Sequence, residues 1–336
     1  MEQKMRIAVG QFSQLTDETL TFAQQLGIKT VQMNTPQLPG EHRWEYEDLL
    51  ALKQKCDEYG LTLEAIENVP FHFYDKIMLG LPGRDEQIGH YQAIIRSMGR
   101  AGIPILGHHF MPNSVWRTTP ARGRGGALVT AFDEEESRDG VNSVNRAKNA
   151  AAKEVKIKTE AEMWEHYEYF LKAILPVAED SGVKLALHPD DPPLPMVDGM
   201  ARIFYNVAQF KKAMELAGSA AWGLDLCLGC CSEMINGADN VLEMIRFFGP
   251  LGKIFYIHFR DVQGTVPKFQ ECFLGEGNYD PAEVLLELKK NGFNGFILDD
   301  HVPKMVNDSP WGHRARAHAI GYIQGLINMA ESTAPV

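Results

Sequence analysis

Short apolar runs alternate with amphipathic stretches eight times along this chain. The runs are Arg6–Phe12, Thr30–Asn34, Leu63–Val69, Ile103–Phe110, Val183–His188, Trp222–Cys227, Ile254–Phe259 and Gly295–Asp299. Each is rich in residues that suit strands buried on both faces. Helical stretches lie between them. Trp44–Tyr59 carries an apolar stripe through Leu49, Leu50 and Leu52, and Met163–Ser181 does so through Tyr167, Phe170, Leu171 and Ile174. Both are followed by a glycine stop, Gly60 and Gly182, and Pro281 opens the seventh helix where proline is tolerated. Strict strand–helix alternation predicts a parallel sheet. Eight units is the number at which such a sheet closes into a barrel. An open doubly wound sheet competes, but no GxGxxG turn follows the first strand. The expectation is one α/β domain, a (β/α)8 TIM barrel over residues 1–336.

The rhythm breaks from Thr118 to Glu162. The composition there turns polar, with Arg122-Gly123-Arg124-Gly125-Gly126 and then four acids, Asp133 to Glu136. This 118–162 segment reads as a strand-free insertion after the fourth strand, either a lid over the barrel mouth or a solvated excursion. A formal charge of −11 argues against nucleic acid as a partner, because phosphate binding needs a basic surface. No apolar run approaches the ~20 residues that span a bilayer, and the polar start shows no signal peptide. Five cysteines, two of them adjacent, argue against a disulfide framework and for a reduced, cytoplasmic protein. Pairing through exposed helix faces would make it a homo-oligomer.

Barrels of this kind place their chemistry at the C-terminal ends of the strands. The polar residues there are therefore the candidates. His188 ends the fifth run, Cys227 the sixth and His258 lies near the end of the seventh; Asp299, Asp300 and His301 close the eighth. A lone strand-end histidine is more often structural, and a buried cysteine more often an apolar filler. Four consecutive strands delivering metal-competent groups to one face is a stronger pattern. Two imidazoles, a thiolate and a carboxylate suit a divalent transition metal with positions left open to substrate oxygens. Asp190 and Asp191 read as imidazole-orienting groups or as exposed turn residues. Arg260 and Asp261 either meet a substrate carboxylate or pair with each other. His108 and His109 either contact substrate or cap the fourth strand. Glu67, His72, Trp116 and Arg117 complete a polar ring at the mouth, and the fork of Arg117 matches a carboxylate. Glu271 and Glu276 are further acids in the loop after the seventh strand.

Five segments together resemble the mannonate dehydratase family. They are ENVPFHFYD from Glu67, HHFMPNSVW from His108, FLKAILPVAEDSGVKLALHPDDPP from Phe170, LCLG around Cys227, and IHFRDV from Ile257. They occur in the family's order, and weaker similarity runs through most of the chain outside the insertion. The resemblance implies a xylose-isomerase-like barrel and a metal held by His188, Cys227, His258 and Asp300. That metal is manganese first, with iron, cobalt or zinc as alternatives. It also implies loss of water from an aldonic acid, D-mannonate or an analogue, to give a 2-keto-3-deoxy acid. Asp300 or His301 would move protons, and Arg260 or Arg314 would bind the carboxylate.

The chain departs from the family pattern at several of these places. Leu298-Asp299-Asp300-His301-Val302 stands where the family has arginine, proline, aspartate, histidine and glycine. Trp311 stands where a catalytic tyrosine is expected, with His313 and Arg314 nearby as substrate contacts. His109 replaces an asparagine and Gln270 a histidine. Losing a phenol while keeping the metal set would change reaction or substrate, so a metal-dependent isomerase or epimerase of a sugar or keto-sugar is the alternative reading.

Overall fold

In the computed structural model, which describes residues 4–138, 155 and 157–333, eight parallel strands close into a barrel. We number them β1 (Arg6–Val9), β2 (Thr30–Asn34), β3 (Thr62–Glu67), β4 (Ile105–His108), β5 (Lys184–Leu187), β6 (Trp222–Cys227), β7 (Ile254–Phe259) and β8 (Phe296–Asp299). Each pairs with its neighbours in sequence, and β8 returns to β1 with Arg6 opposite Phe296. The eightfold alternation of the sequence is thus a closed barrel and not an open sheet.

Several strands stop short of the runs read from sequence. β1 ends at Val9 and not Phe12, β3 at Glu67 and not Val69, and β4 at His108 and not Phe110. Just beyond two of these ends, Gln11 and Asn68 take φ of 62° and 63°. A left-handed residue cannot continue a ladder, so the chain turns away at the mouth while its side chains stay there.

Period-two alternation sorts the strand residues. Leu224, Leu226, Ile257, Phe259 and Ile297 belong to the large apolar core shared with the surrounding helices. Ala8, Ala65, Ala186, Tyr256, Phe296 and Leu298 form a second cluster, the filling of the barrel itself. Tyr256 stacks on Phe296 with centroids 4.9 Å apart. Gly107 of β4 makes room for it, since a Cβ there would stand 2.5 Å from the Tyr256 hydroxyl.

The helix after the insertion runs Glu160–Ser181, starting three residues before the apolar stripe that marks it in sequence. Its start is fixed by Thr159 and Glu162, whose side chains each accept from the other's backbone N–H in a capping box. Trp164, Tyr167, Phe170, Leu171 and Ile174 form its buried face.

The insertion is not free of strands. Ala121–Arg122 pairs with Leu128–Val129, and Ala131–Asp133 joins the hairpin Val262–Thr265 and Lys268–Glu271 to make a three-stranded sheet. These strands are two or three residues long, too short for a periodic signal in sequence. The remainder of the insertion, 139–154 and 156, lies outside the described residues. Among the described residues, no helix is long and apolar enough to cross a membrane.

Candidate active site and metal centre

Continuing the alternation past the strand ends turns His188, Cys227, His258 and Asp300 toward the barrel axis, from β5, β6, β7 and β8. Register puts Cys227 opposite His258. One ligand atom from each of Cys227, His258 and Asp300 lies within 4.8 Å of the others. His188 makes equally close groups with Cys227 and Cys230, and with Asp225 and His258. The two imidazole rings are 5.4 Å apart. All four groups therefore belong to one connected cluster at one rim.

The hydrogen bonds fix which nitrogens face that cluster. His188 Nδ1 lies 2.7 Å from the Pro189 carbonyl. A carbonyl only accepts, so Nδ1 carries a proton, and Nε2 is the nitrogen left to face the cluster, able to donate a lone pair once its own proton is displaced. His258 Nε2 lies 3.1 Å from Glu67 Oε2. Its Nδ1 is buried without a hydrogen-bond partner, 4.0 Å from Asp300 Oδ2. Metal–ligand bonds of ~2.0–2.3 Å bring two donors on one ion to roughly this separation. An orphaned nitrogen beside a thiol and a carboxylate is a donor that a divalent cation would satisfy, and the residues fit one.

Electrostatics point the same way. Burial opposes charge on all of these groups. Even so, the Cys230 hydrogen bond and Arg260 hold the Cys227 thiol well below its ordinary range. Asp225, Glu67 and Asp300 hold the His258 imidazolium well above its own. His188, bonded to Cys227 and facing Asp225, is raised to about 10. Without a metal the cluster neutralises itself with protons that a cation would displace.

A buried ion network lies beside this cluster. Arg260 donates to Glu233 Oε1 at 2.7 Å and Glu271 Oε1 at 2.9 Å. Its other terminal nitrogen reaches Cys230 Sγ at 3.0 Å and Asp191 Oδ2 at 3.3 Å. Arg117 forks onto the two oxygens of Asp191 at 2.5 and 2.7 Å. Both arginines are about as buried as their partners, and a buried charge must stay paired. Neither fork is therefore free for a substrate carboxylate, although Arg117 does reach the cavity wall. Asp191 is neither an imidazole partner nor an exposed turn residue. Asp190 accepts the Phe204 N–H at 2.6 Å and faces Arg202. Asp261 does not pair with Arg260 and accepts instead from the N–H groups of Val262, Gly275 and Gly277, each at 3.0 Å.

Glu271 also accepts from His301 Nδ1 at 2.7 Å. Burial opposes charge on both; for Glu271 the nearby His301 and Arg260 outweigh it and hold the carboxylate ionised. Asp300 and Glu271 together favour the His301 imidazolium. With its side chain 44% exposed, His301 is screened by solvent, and only the direction of that preference matters.

Above the cluster opens a cavity of about 780 Å³. His188, Asp300, His301, Asp191 and Arg117 line it, with Glu67, His72 and His109. His109 takes the Met111 N–H on Nδ1 at 3.3 Å and meets Tyr74 Oη through Nε2 at 3.0 Å. His108, one residue earlier, points the other way onto Tyr167 and Phe170. Trp116 is buried with Phe132, Val262 and Phe269, not in the polar ring. Glu276 pairs with Arg124 at 2.6 Å.

Three candidates from the C-terminal segment are not among the cavity-lining residues. Trp311 donates to the Gln11 carbonyl at 3.2 Å and sits edge-on to Phe12 and Phe22. His313 bonds the Ser309 hydroxyl at 2.6 Å, and Arg314 donates to the Val306 carbonyl at 3.1 Å. Both belong to the first turn of the helix His313–Ser332, which ties them to the 306–309 turn. Conversely, Gln11, Thr35, Asn68 and Ser114 line the cavity and escaped the sequence reading. All four have positive φ, a strain that clusters at functional sites. In sequence, the only trace is a polar residue just beyond an apolar run.

A closed barrel with two imidazoles, a thiol and a carboxylate gathered under a polar cavity defines a barrel of the xylose-isomerase-like type with a donor set able to hold a metal. A xylose isomerase domain protein from Planctomyces limnophilus shares that fold, with TM-score 0.63 at 15% identity over 99% of this chain and 100% of the other. Closer likenesses narrow the class. The family model described as D-mannonate dehydratase (UxuA) matches residues 1–334. The mannonate dehydratase of Geobacillus thermodenitrificans is 32% identical over 332 residues, 88% of this chain and 86% of that one. The crystal structure of the Streptococcus suis serotype 2 mannonate dehydratase superposes with TM-score 0.88 at 28% identity, over 99% of this chain and 97% of the other. This chain belongs to the D-mannonate dehydratase family, and its class is that of the lyases.

Proposed function

We propose that this protein removes water from D-mannonate, or a close aldonic acid, to give a 2-keto-3-deoxy acid. In this reading His188, Cys227, His258 and Asp300 hold a divalent ion, manganese first. The observation that carries it is the convergence of those four groups with the His301–Glu271 pair beneath one cavity. A bound divalent ion would act as a Lewis acid, stabilising negative charge that develops on substrate oxygen as the C–H bond breaks.

The chain's own residues supply the rest. Gln11, Asn34, Thr35, Asn68 and Ser114 give the wall amides and hydroxyls suited to a polyhydroxy chain. His301, held as a cation by its carboxylate neighbours, donates a proton to the departing hydroxyl. Asp300 Oδ1, 3.7 Å from His301 Nε2, is the carboxylate placed to share proton traffic with it. Arg260 acts through others: it sets the positions of Glu271, Asp191 and the two sulfurs, and does not touch substrate.

The test is a mass assay of D-mannonate and related aldonates with the manganese-loaded protein. A product lighter by one water and bearing a 2-keto group is expected. If no aldonate loses water, the reading fails. The isomerase or epimerase alternative draws on one observation, that Trp311 offers an indole packed on Phe12 and Phe22 where a phenol is expected. It predicts products of unchanged mass that take up solvent deuterium at one carbon.

A further inference from the structure

Cys230 follows Cys227 by three residues, on the short helix Leu228–Glu233. That spacing stacks the two side chains on one face. Cys227 Sγ accepts the Cys230 N–H at 3.4 Å. The two sulfurs, with a nitrogen of His188, lie within 4.8 Å of one another. Both face the same guanidinium, with Arg260 Nη2 3.0 Å from Cys230 Sγ and 3.7 Å from Cys227 Sγ. Of the remaining thiols, Cys56 and Cys231 belong to the apolar core, and Cys272 enters no donor cluster among the described residues.

We propose that Cys227 and Cys230 are a reversible oxidation site, closing to a disulfide when the metal-free protein meets a hydroperoxide. A disulfide needs its sulfurs about 2.05 Å apart, and a side-chain rotamer change covers movements of this size. Both sulfurs are fully buried, but His188 and Asp300, neighbours of Cys227 in the cluster, line the cavity, so a molecule as small as hydrogen peroxide would reach the sulfur by displacing those two side chains. Cys227 Sγ attacks one peroxide oxygen; the O–O bond breaks, and the released hydroxide leaves as water with the thiol proton. The resulting sulfenic acid is attacked by Cys230 sulfur. The S–O bond breaks, the S–S bond forms, and a second water departs with the Cys230 proton. Two thiols are oxidised by two electrons while one peroxide is reduced to two waters.

The consequence is mutual exclusion. A bound metal engages the Cys227 lone pair and shields it, whereas the disulfide withdraws the sulfur from the metal centre. The bond itself stands on the placement of the sulfurs; its effect on metal rests on the ligand reading above.

The experiment compares chelator-stripped and manganese-loaded protein after hydrogen peroxide. Thiols are counted under denaturing conditions, cross-links are mapped by mass, and manganese uptake is measured before and after dithiothreitol. Stripped wild type should lose two of its five thiols, show a 227–230 cross-link, lose manganese uptake and recover both on reduction. The loaded protein should keep all five. Cys231→Ser should still lose two thiols, and Cys230→Ser at most one. A full thiol count in the treated stripped protein, or a two-thiol loss in Cys230→Ser, overturns the proposal. If the cross-link forms and manganese still binds, the disulfide stands and it is Cys227 as a ligand that falls.

Discussion

Replacing Asp191 by Asn tests whether the arginines at the cavity wall are internal braces. The change removes the bidentate partner of Arg117, whose one remaining acid contact among the described residues is the longer one of 3.5 Å to Glu271 Oε1. It also removes one of the acids around Arg260, which keeps Glu233 and Glu271. Removing one partner of a buried ion pair costs about 3–5 kcal/mol, because the other charge is left uncompensated. An unfolding entropy of about 2.1 cal/mol/K per residue gives roughly 0.7 kcal/mol/K for 336 residues. The expected fall in Tm is then about 4–7 °C. Calorimetry should use chelator-stripped protein at neutral pH, since a bound ion adds stability by mass action. The double variant Arg117→Met with Asp191→Leu should recover most of the loss, as apolar replacements of buried pairs often do. A fall below about 1 °C in the single variant would refute the reasoning. So would an Arg117→Lys protein of unchanged Tm whose KM for the aldonate rises, because the fork would then be holding substrate.

Further outcomes follow from other contacts. Glu271→Gln should lower kcat by about 10²–10⁴-fold with KM little moved, since the acid positions His301; unchanged kcat in steady-state assays would remove His301 from proton transfer. Burial holds His108 neutral down to about pH 3 despite a hydrogen bond from its ring to the Ala186 backbone, against about 6.5 in the unfolded chain. Its contribution is complete above pH ~6.5 and drains away as pH falls toward 3, so His108→Gln should flatten the decline of Tm over that acid range. Gly107→Ala should cost about 1–3 kcal/mol by overpacking against Tyr256, and adding Tyr256→Phe should return part of it in denaturant titrations.

The barrel was legible because alternation at strand and helix periods is written in side-chain polarity, and all eight runs carry a strand. The convergence of His188, Cys227, His258 and Asp300 was legible for the same reason: parallel strands in register deliver their terminal residues to one height. Period two would also have separated His109 from His108 and Asp300 from Asp299, since neighbours on a strand point opposite ways. The fate of Arg117 and Arg260 was hidden, because it depends on acids 74 and 11 residues away in sequence. Trp311, His313 and Arg314 were misplaced for a related reason: a motif position says nothing of where a helix start is tethered. The short strands of the insertion escaped because two or three residues carry no period: Ala121–Arg122 and Leu128–Val129 are held by each other, and Ala131–Asp133 by a partner across the mouth.

The three-stranded sheet at that mouth ties the segment following β4 to the hairpin following β7. Between those two anchors lie β5 and β6, the strands that deliver His188 and Cys227. Drawing the anchors apart would mean unzipping the ladder through Phe132 and Phe269, so this half of the rim behaves as a fixed roof. Ser13, Thr35, Gln37 and His72, from the loops after β1, β2 and β3, line the opposite side of the same cavity. One side of the cavity is thus walled by a paired ladder and the other by single loops, so the two flanks differ in how much backbone pairing holds them in place.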